Sequence, residues 1–367
     1  MPGSPTQTAI PASPPPVAST TPVQPESTAV PASAPTSPPT PAPTEEPRAD
    51  GLSHAEAATL DSLEQVDDYP LYTMRYHGAY PQRASSTEGA RWSASTSLPD
   101  PDPATLPPVW ACSLFAALGD ADHMLYGRNF DWDYSPAVLL FTDPPGGYAS
   151  VSMVDIAYLG FEGAKASTLP DLPLVKRRSL LSAPFLPFDG MNEHGLVVGM
   201  AAVPPGEMQP DPDKETVGSL GVIREMLDHA SNVDEAVDIL RSYNVDFGGG
   251  PPIHYLIADR SGRAALVEFY QGEMVIIPNQ ASWHLATNFL RASAGASADG
   301  MCWRYDAISQ RLAEIEGQMT TQNATDLLED VSQDGTQWSI VYEMNAGAVN
   351  VAMGRQYDDV HALHLGE

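Results

Sequence analysis

The chain predicts an α+β fold in which β-sheets pack against one another with helices on the outside. Three observations carry this prediction. From residue 111 onward, short apolar or alternating runs bounded by turn residues dominate. Two pairs of amphipathic helices interrupt them. The resulting order is strands, two helices, strands, two helices, strands, which leaves each sheet one face to bury against the other.

Taken in order, Ser53 followed by Glu56 reads as a capped helix start, and Tyr69–Tyr76 is aromatic and alternating enough for a strand. Ala111–Leu118 and His123–Trp132 flank Gly119-Asp120-Ala121-Asp122 and predict a hairpin. Ala137–Phe141 and Tyr148–Val154 continue the sheet, and Leu196–Val203 is apolar throughout, as expected of a strand covered on both faces. Helices are expected at Leu220–Ala230 and, after the Ser231-Asn232 cap, at Val233–Tyr243. Strands resume at Ile253–Ala258, Ala264–Tyr270, Glu273–Ile277 and Trp283–Thr287, with turns at 259–262 and 271–272. Helices return at Trp303–Ile315 and Ala324–Ser332, and a hairpin of Gln337–Met344 and Ala348–Met353 closes the fold.

The first 48 of the 367 residues are different in kind: 15 of the 36 prolines, 14 Ser or Thr, no aromatic residue and four charged ones. Such a segment buries too little apolar surface to offset the entropy of ordering it, and is expected to be an extended, disordered linker or stalk. A stalk suits an extracellular or surface-tethered protein, although Met1-Pro2-Gly3-Ser4 shows no signal sequence. Residues 49–111 read as a partly ordered precursor segment, and 112–367 as the catalytic domain. No apolar run is long enough to span a bilayer. A formal charge of −29 with only three lysines argues against a nucleic-acid partner. Lys176-Arg177-Arg178, the one basic cluster, reads as a solvated loop. No spacing of the nine histidines suggests a metal site, and no cofactor motif is present.

Cys112 is the residue around which chemistry gathers. Arg128 and Asp131 follow it within one expected hairpin, in Gly127-Arg128-Asn129-Phe130-Asp131-Trp132. A thiol of ordinary pKa, ~8.5, is mostly protonated at neutral pH and needs a neighbouring cation or base before it attacks an amide. Arg128 offers the cation. If the Ala111–Cys112 bond is cut, the new α-amine, with an ordinary pKa of ~8, becomes a base on the same residue, and Asp131 could hold it. The competing reading is a disulfide between Cys112 and Cys302, the only two cysteines, and the two readings exclude each other.

These residues resemble the choloylglycine hydrolase and penicillin V acylase family of N-terminal nucleophile hydrolases, which also includes isopenicillin N acyltransferases and acid ceramidase. Phe188-Asp189-Gly190-Met191-Asn192-Glu193-His194-Gly195-Leu196, Ala286-Thr287-Asn288, Trp303-Arg304-Tyr305 and Trp338–Tyr342 match in family order, over nearly all of residues 110–354. The resemblance implies a four-layer αββα sandwich, autoproteolysis before Cys112, and hydrolysis of a linear carbon–nitrogen amide through a thioester. It implies that Arg128 steadies the thiolate, Asp131 holds the α-amine, Asn288 donates to the oxyanion and Arg304 closes the network. One departure is Ala202, where bile-salt enzymes carry a second oxyanion asparagine; a backbone N–H is left to replace it, and bile-salt specificity is not expected. The long precursor segment is closer to the acyltransferase and ceramidase branch.

Several residues also have plain structural readings. Arg128 with Asp131 could form a buried ion pair, Asn192 could support a turn, and His194 beside it could be exposed. Trp303 and Tyr305 read as core at helical spacing with Ile308 and Leu312, Cys302 as a small buried hydrophobe, and Asp189 and Glu193 as structural. The expected function is a self-cleaving cysteine amidohydrolase acting on a small-molecule N-acyl amide. Acyl transfer to an amine is the alternative within that class, and an inactive, surface-tethered binding protein the alternative outside it.

Overall fold

The computed structural model describes residues 48–80, 112–205, 209–248, 250–294 and 298–366. The expected stalk, except Arg48, and Ala111, at the expected cleavage site, therefore lie outside the described residues.

Seventeen strands are described: β1 (Glu64–Asp67), β2 (Leu71–Tyr76), β3 (Ser113–Ala117), β4 (Leu125–Asp131), β5 (Ala137–Thr142), β6 (Ser150–Asp155), β7 (Asp189–Asn192), β8 (Val197–Ala202), β9 (Glu215–Gly218), β10 (Tyr243–Asp246), β11 (Ile253–Ala258), β12 (Ala264–Tyr270), β13 (Glu273–Pro278), β14 (Trp283–Ala286), β15 (Thr336–Glu343), β16 (Ala348–Met353) and β17 (His361–His364). The helices are α1 (His54–Asp61), the single turn α2 (Ala164–Ser167), α3 (Gly221–His229), α4 (Val233–Ser242), α5 (Trp303–Glu314) and α6 (Thr321–Asp330).

The strands form a nine-stranded sheet, β1-β2-β5-β6-β7-β8-β11-β12-β13, a six-stranded sheet, β14-β3-β4-β15-β16-β17, and a small parallel pair of β9 and β10. Helices α3 and α4 pack on the large sheet, against β7, β8, β11 and β12, while α5 and α6 pack on the smaller one, against β14, β3, β4 and β15. The sheets meet through β3 with β8 and β11, and β12 with β14. This is the αββα sandwich expected from the resemblance.

The sheets come together because their facing side chains are apolar and, at one point, absent. Leu114, Tyr126, Val197, Leu256, Ile340 and their neighbours form one buried cluster. A Cβ on Gly199 would stand 2.6 Å from the Tyr126 hydroxyl and 2.8 Å from Leu114, so only glycine lets β8 approach β3 and β4 this closely. A second buried cluster of Phe115, Leu125, Leu285, Ile308, Leu312, Leu328 and Val341 seals α5 and α6 to the other face of the six-stranded sheet.

The segment before Cys112 contributes to the large sheet and to the core. Ser53 caps α1 and Glu56 returns the bond to the Ser53 N–H, the expected capping box. Strand β2 pairs in parallel with β5 along its whole length, placing β1 and β2 at the edge of the large sheet. Leu52, Leu60, Tyr72, Met74 and Tyr76 enter a buried cluster with Val138, Leu140 and Val154. Arg177, read as part of a solvated loop, is instead half-buried and donates to the carbonyls of Pro170, Leu172 and Leu60, tying the irregular 169–185 stretch to α1. That stretch is built from short 3-10 turns, since Pro170, Pro173 and Pro184 interrupt any longer helix.

Candidate active site

Strand geometry distributes the site. Side chains alternate across a strand, so Arg128 and Asp131, an odd number of positions apart, cannot share a face of β4. In the β3–β4 ladder Leu114 pairs with Arg128 and Ser113 with Asn129, which places Cys112 at the level of Phe130. Cys112, Arg128 and Phe130 therefore face the large sheet, while Ser113, Asn129 and Asp131 face the α5–α6 layer. The Arg128–Asp131 ion pair considered from sequence does not form.

Arg128 pairs instead with Asp189, a residue with only a structural reading in the sequence; both side chains are fully buried. Its Nη1 donates to the Asp189 carboxylate and, at 2.6 Å, to the carbonyl of Phe188. Asp189 also accepts from the Tyr342 hydroxyl and from Trp338 Nε1 at 3.4 Å, and the guanidinium lies 5.0 Å over the Phe130 ring. Burial opposes the guanidinium charge, but Asp189 and the Cys112 thiol beside it hold the Arg128 pKa above its ordinary value. Nε and Nη2 of Arg128 have no oxygen partner among the described residues.

Cys112 is buried and, like Cys302, is a free thiol, so the disulfide reading is not supported. Burial pushes its thiol up, and the charge of Arg128 pulls the other way. Asp131 Oδ1 accepts the Thr336 hydroxyl, whereas Oδ2 is buried with no hydrogen-bond partner among the described residues. Burial pushes the Asp131 carboxyl up to about 6, against the Thr336 hydrogen bond and the charge of Arg304.

Arg304, in the first turn of α5, reaches back over β3. Its Nη1 donates to the Cys112 carbonyl and to Ser113 Oγ at 2.9 Å, and its Nη2 donates to Asn288 Oδ1 at 3.2 Å. Asn288 follows β14, whose Ala286 pairs with Leu114, so the turn carries it to the level of Cys112. One hydrogen of its Nδ2 goes to the Ala202 carbonyl at 2.8 Å, which leaves the second available to another acceptor. Ala202, on β8 of the large sheet, thus meets Asn288 through its main chain.

Asn192 is tied to two elements through four side-chain hydrogen bonds. Its Nδ2 donates to the carbonyls of Leu227 and Ala230 at the end of α3, and its Oδ1 accepts from the N–H of His194 and Leu196. Gly195 completes that turn at φ 72°, where a Cβ would lie 2.4 Å from the Met344 carbonyl. His194, expected to be exposed, is half-buried against the edge of Tyr148. Trp303 departs from expectation in the other direction. Tyr305, Ile308 and Leu312 are core, but Trp303 stands at the first position of α5 and is 55% exposed, as is Met301. Cys302, which precedes the helix, is half-buried.

Away from Cys112, the described residues bring together one set of side chains that could ligate an ion: Asp67, Asp359 and His361, where β1 meets β17, beside a surface pocket of about 470 Å³. His361 Nε2 lies 2.6 Å from Asp67 Oδ2, within hydrogen-bond distance.

Comparison with known proteins agrees with this architecture. Residues 187–357 match the family model described as acyl-coenzyme A:6-aminopenicillanic acid acyl-transferase. Among solved structures, a variant of the conjugated bile acid hydrolase from Clostridium perfringens covers 70% of this chain and 92% of its own, with a TM-score of 0.50 at 14% identity. A second variant of that hydrolase covers 70% and 93%, with a TM-score of 0.51 at 13% identity. The chain has the N-terminal nucleophile hydrolase fold. A penicillin V acylase from Agrobacterium tumefaciens also aligns, over 70% of this chain and 87% of its own, at 15% identity and a TM-score of 0.48. At such identities the two bile acid hydrolase structures speak for the N-terminal nucleophile hydrolase fold alone, and the family-model match covers β7 through β16. Among the described residues, no helix is long and apolar enough to cross a membrane.

Proposed function

We propose that this protein is a cysteine amidohydrolase that opens its own Ala111–Cys112 bond and then hydrolyses a linear amide of a small-molecule N-acyl substrate. The observation that supports this reading best is the buried, unpartnered Oδ2 of Asp131 close to Cys112. A buried carboxylate oxygen without a donor is costly. In the uncut chain the Cys112 nitrogen is an amide with a single N–H fixed by the peptide plane; cleavage turns it into an amine or ammonium with two or three hydrogens, free to turn one toward that oxygen. One event then satisfies Asp131 and creates the base that takes the thiol proton.

In this scheme Arg128 stabilises the thiolate, the amine accepts the thiol proton, and the sulfur attacks the substrate carbonyl. Asn288 donates its second Nδ2 hydrogen to the oxyanion, assisted by a backbone N–H. The proton then passes from the ammonium to the leaving amine, and water releases the acyl group from the thioester. Arg304 fixes the main chain of Cys112 and the amide of Asn288 together. Intact-mass analysis of the purified protein tests the first step. The wild type should give two fragments meeting at Ala111–Cys112, whereas Cys112→Ala should remain whole; a fully active, uncut wild type would refute the reading.

The family-model match favours acyl transfer to an amine as a second reading. Here the thioester meets an amine rather than water. Adding 6-aminopenicillanic acid to a turnover reaction would distinguish the two: transfer yields an N-acylated amine, hydrolysis only the free acid.

A further inference from the structure

Resting on that reading, we infer that Glu268 is the positioning residue of the oxyanion donor: from the large sheet it clamps the main chain just after Asn288 and so sets where the Asn288 amide stands over Cys112. Glu268 lies on β12 and is fully buried, as is His254 on β11. Adjacent registers in the β11–β12 ladder, Tyr255 with Val267 and Leu256 with Leu266, put His254 opposite Glu268.

The carboxylate is used on both oxygens. Oε1 accepts the N–H of Arg291 at 2.8 Å and Oε2 the N–H of Ala292 at 2.7 Å, the start of a short 3-10 turn that begins three residues after Asn288. His254 Nδ1 lies 3.1 Å from Oε1 and braces the carboxylate from the neighbouring strand. A bare buried carboxylate would be driven toward its neutral form, yet the Glu268 pKa is lowered: burial raises it, and His254 with the two main-chain donors outweighs burial. The group is therefore an acceptor for the N–H pair rather than a stored proton.

The geometry converges on one residue. Asn288 belongs to the turn after β14, in the six-stranded sheet, and its side-chain amide is oriented by the Ala202 carbonyl and by Arg304. Those two contacts fix how the amide is turned; neither fixes how far its main chain extends from β14. Glu268 does, because the segment from Asn288 to Ala292 is held at one end by β14 and at the other by the carboxylate, with Leu290 buried between. Of the interactions described, this clamp is the one from the large sheet to the main chain of that turn. An oxyanion donor must lie within hydrogen-bond range of an oxygen that bears charge only in the transition state, where a misplacement of ~1 Å can cost ~10²-fold in rate.

Two reagents separate positioning from general support. Alkylation of Cys112 by iodoacetamide forms no tetrahedral oxyanion; acylation by p-nitrophenyl acetate does. In Glu268→Gln one main-chain N–H would face an NH₂ group instead of an oxygen. The acylation burst should slow roughly 10- to 100-fold while alkylation stays within about twofold of wild type. Asn288→Ala should show the same pattern, and Asn288→Ala/Glu268→Gln should be no slower than Asn288→Ala alone, because the second change acts only through the first. Additive losses, or equal losses with both reagents, would overturn the inference. If the wild type itself gives no burst, the nucleophile reading fails. The clamp is then judged by hydrogen exchange alone: the Arg291 and Ala292 amides should exchange faster in Glu268→Gln, and unchanged exchange would refute it.

Discussion

Removing the counter-charge of Arg128 should damage the fold and sharpen the thiol at the same time. Asp189→Asn keeps the shape of the side chain and an acceptor for Tyr342, but leaves a fully buried guanidinium without a negative partner. Breaking a buried pair by removing one member costs about 3–5 kcal/mol. Arg128 cannot escape by losing its proton, since guanidinium stays charged in proteins. With a urea slope of about 3 kcal/mol per molar, at the upper end of the usual range, the unfolding midpoint should fall by roughly 1–2 M. Measuring this in a Cys112→Ala background keeps the chain uncut and the transition unimolecular. In the background that retains Cys112, the positive field at the thiol is no longer divided with Asp189, so the pH profile of iodoacetamide alkylation should move down by about 1 unit. The double change Arg128→Met/Asp189→Leu should recover most of the stability and lose the low-pH reactivity. A stability loss below ~1 kcal/mol, or a profile shifted to higher pH, would show that Asp189 is not the charge that balances Arg128.

Other outcomes follow from the same geometry. Asp131, held up at about 6, keeps its proton to higher pH than in the unfolded chain, so it is neutral below about 6 and cannot pair with an ammonium there. Turnover by the cut protein, which relies on that pair, should therefore fall as pH falls below about 6, and a rate flat from pH 5 to 8 would contradict the role given to Asp131. By the same sign, Asp131 withdraws stability from the uncut fold as pH rises from about 4 to 6, which denaturation of Cys112→Ala at pH 4.5 and 7 can detect. After cleavage, the part ahead of Cys112 should stay attached under native conditions. Leu52, Leu60, Leu71, Tyr72 and Met74 are buried, at roughly 1.5–3 kcal/mol each, on top of the β2–β5 ladder; separation on a sizing column without denaturant would refute this. Asn192→Ala removes four hydrogen bonds to buried main-chain groups and should cost about 2–4 kcal/mol, read as a lowered denaturation midpoint, with the thiol profile unchanged.

Where the physics is local, the sequence is legible. Ile253–Ala258, Ala264–Tyr270 and Ala348–Met353 are bounded by turns that need particular residues, and these strands begin and end where expected. So does the capped start of α1. Strand β7 is not expected from sequence, because Asp189-Gly190-Met191-Asn192 has neither β-branching nor alternation; its Asp189 is buried against Arg128, some sixty positions away. Trp303 was read as core because helical spacing alone cannot tell a first-turn position, which projects past the partner surface, from one a turn later. For Asp189 the sequence does hold one signal: strand alternation forbids Arg128 from reaching Asp131, so a buried Arg128 needs another acid. Glu268 had none, since its partners are the N–H groups of Arg291 and Ala292, and main-chain groups are the same in every sequence.

The parallel pairing of β2 with β5 carries a further consequence for a chain divided at Cys112. Residues 71–76 and 137–142 lie on opposite sides of that junction, and the ladder between them is one that the intact chain forms as a single molecule. Once the peptide bond is open, rebuilding the ladder after denaturation requires two pieces to find each other, so recovery becomes second order and depends on dilution. The cut protein would owe its persistence to how slowly it comes apart, and the uncut protein to how readily it reassembles.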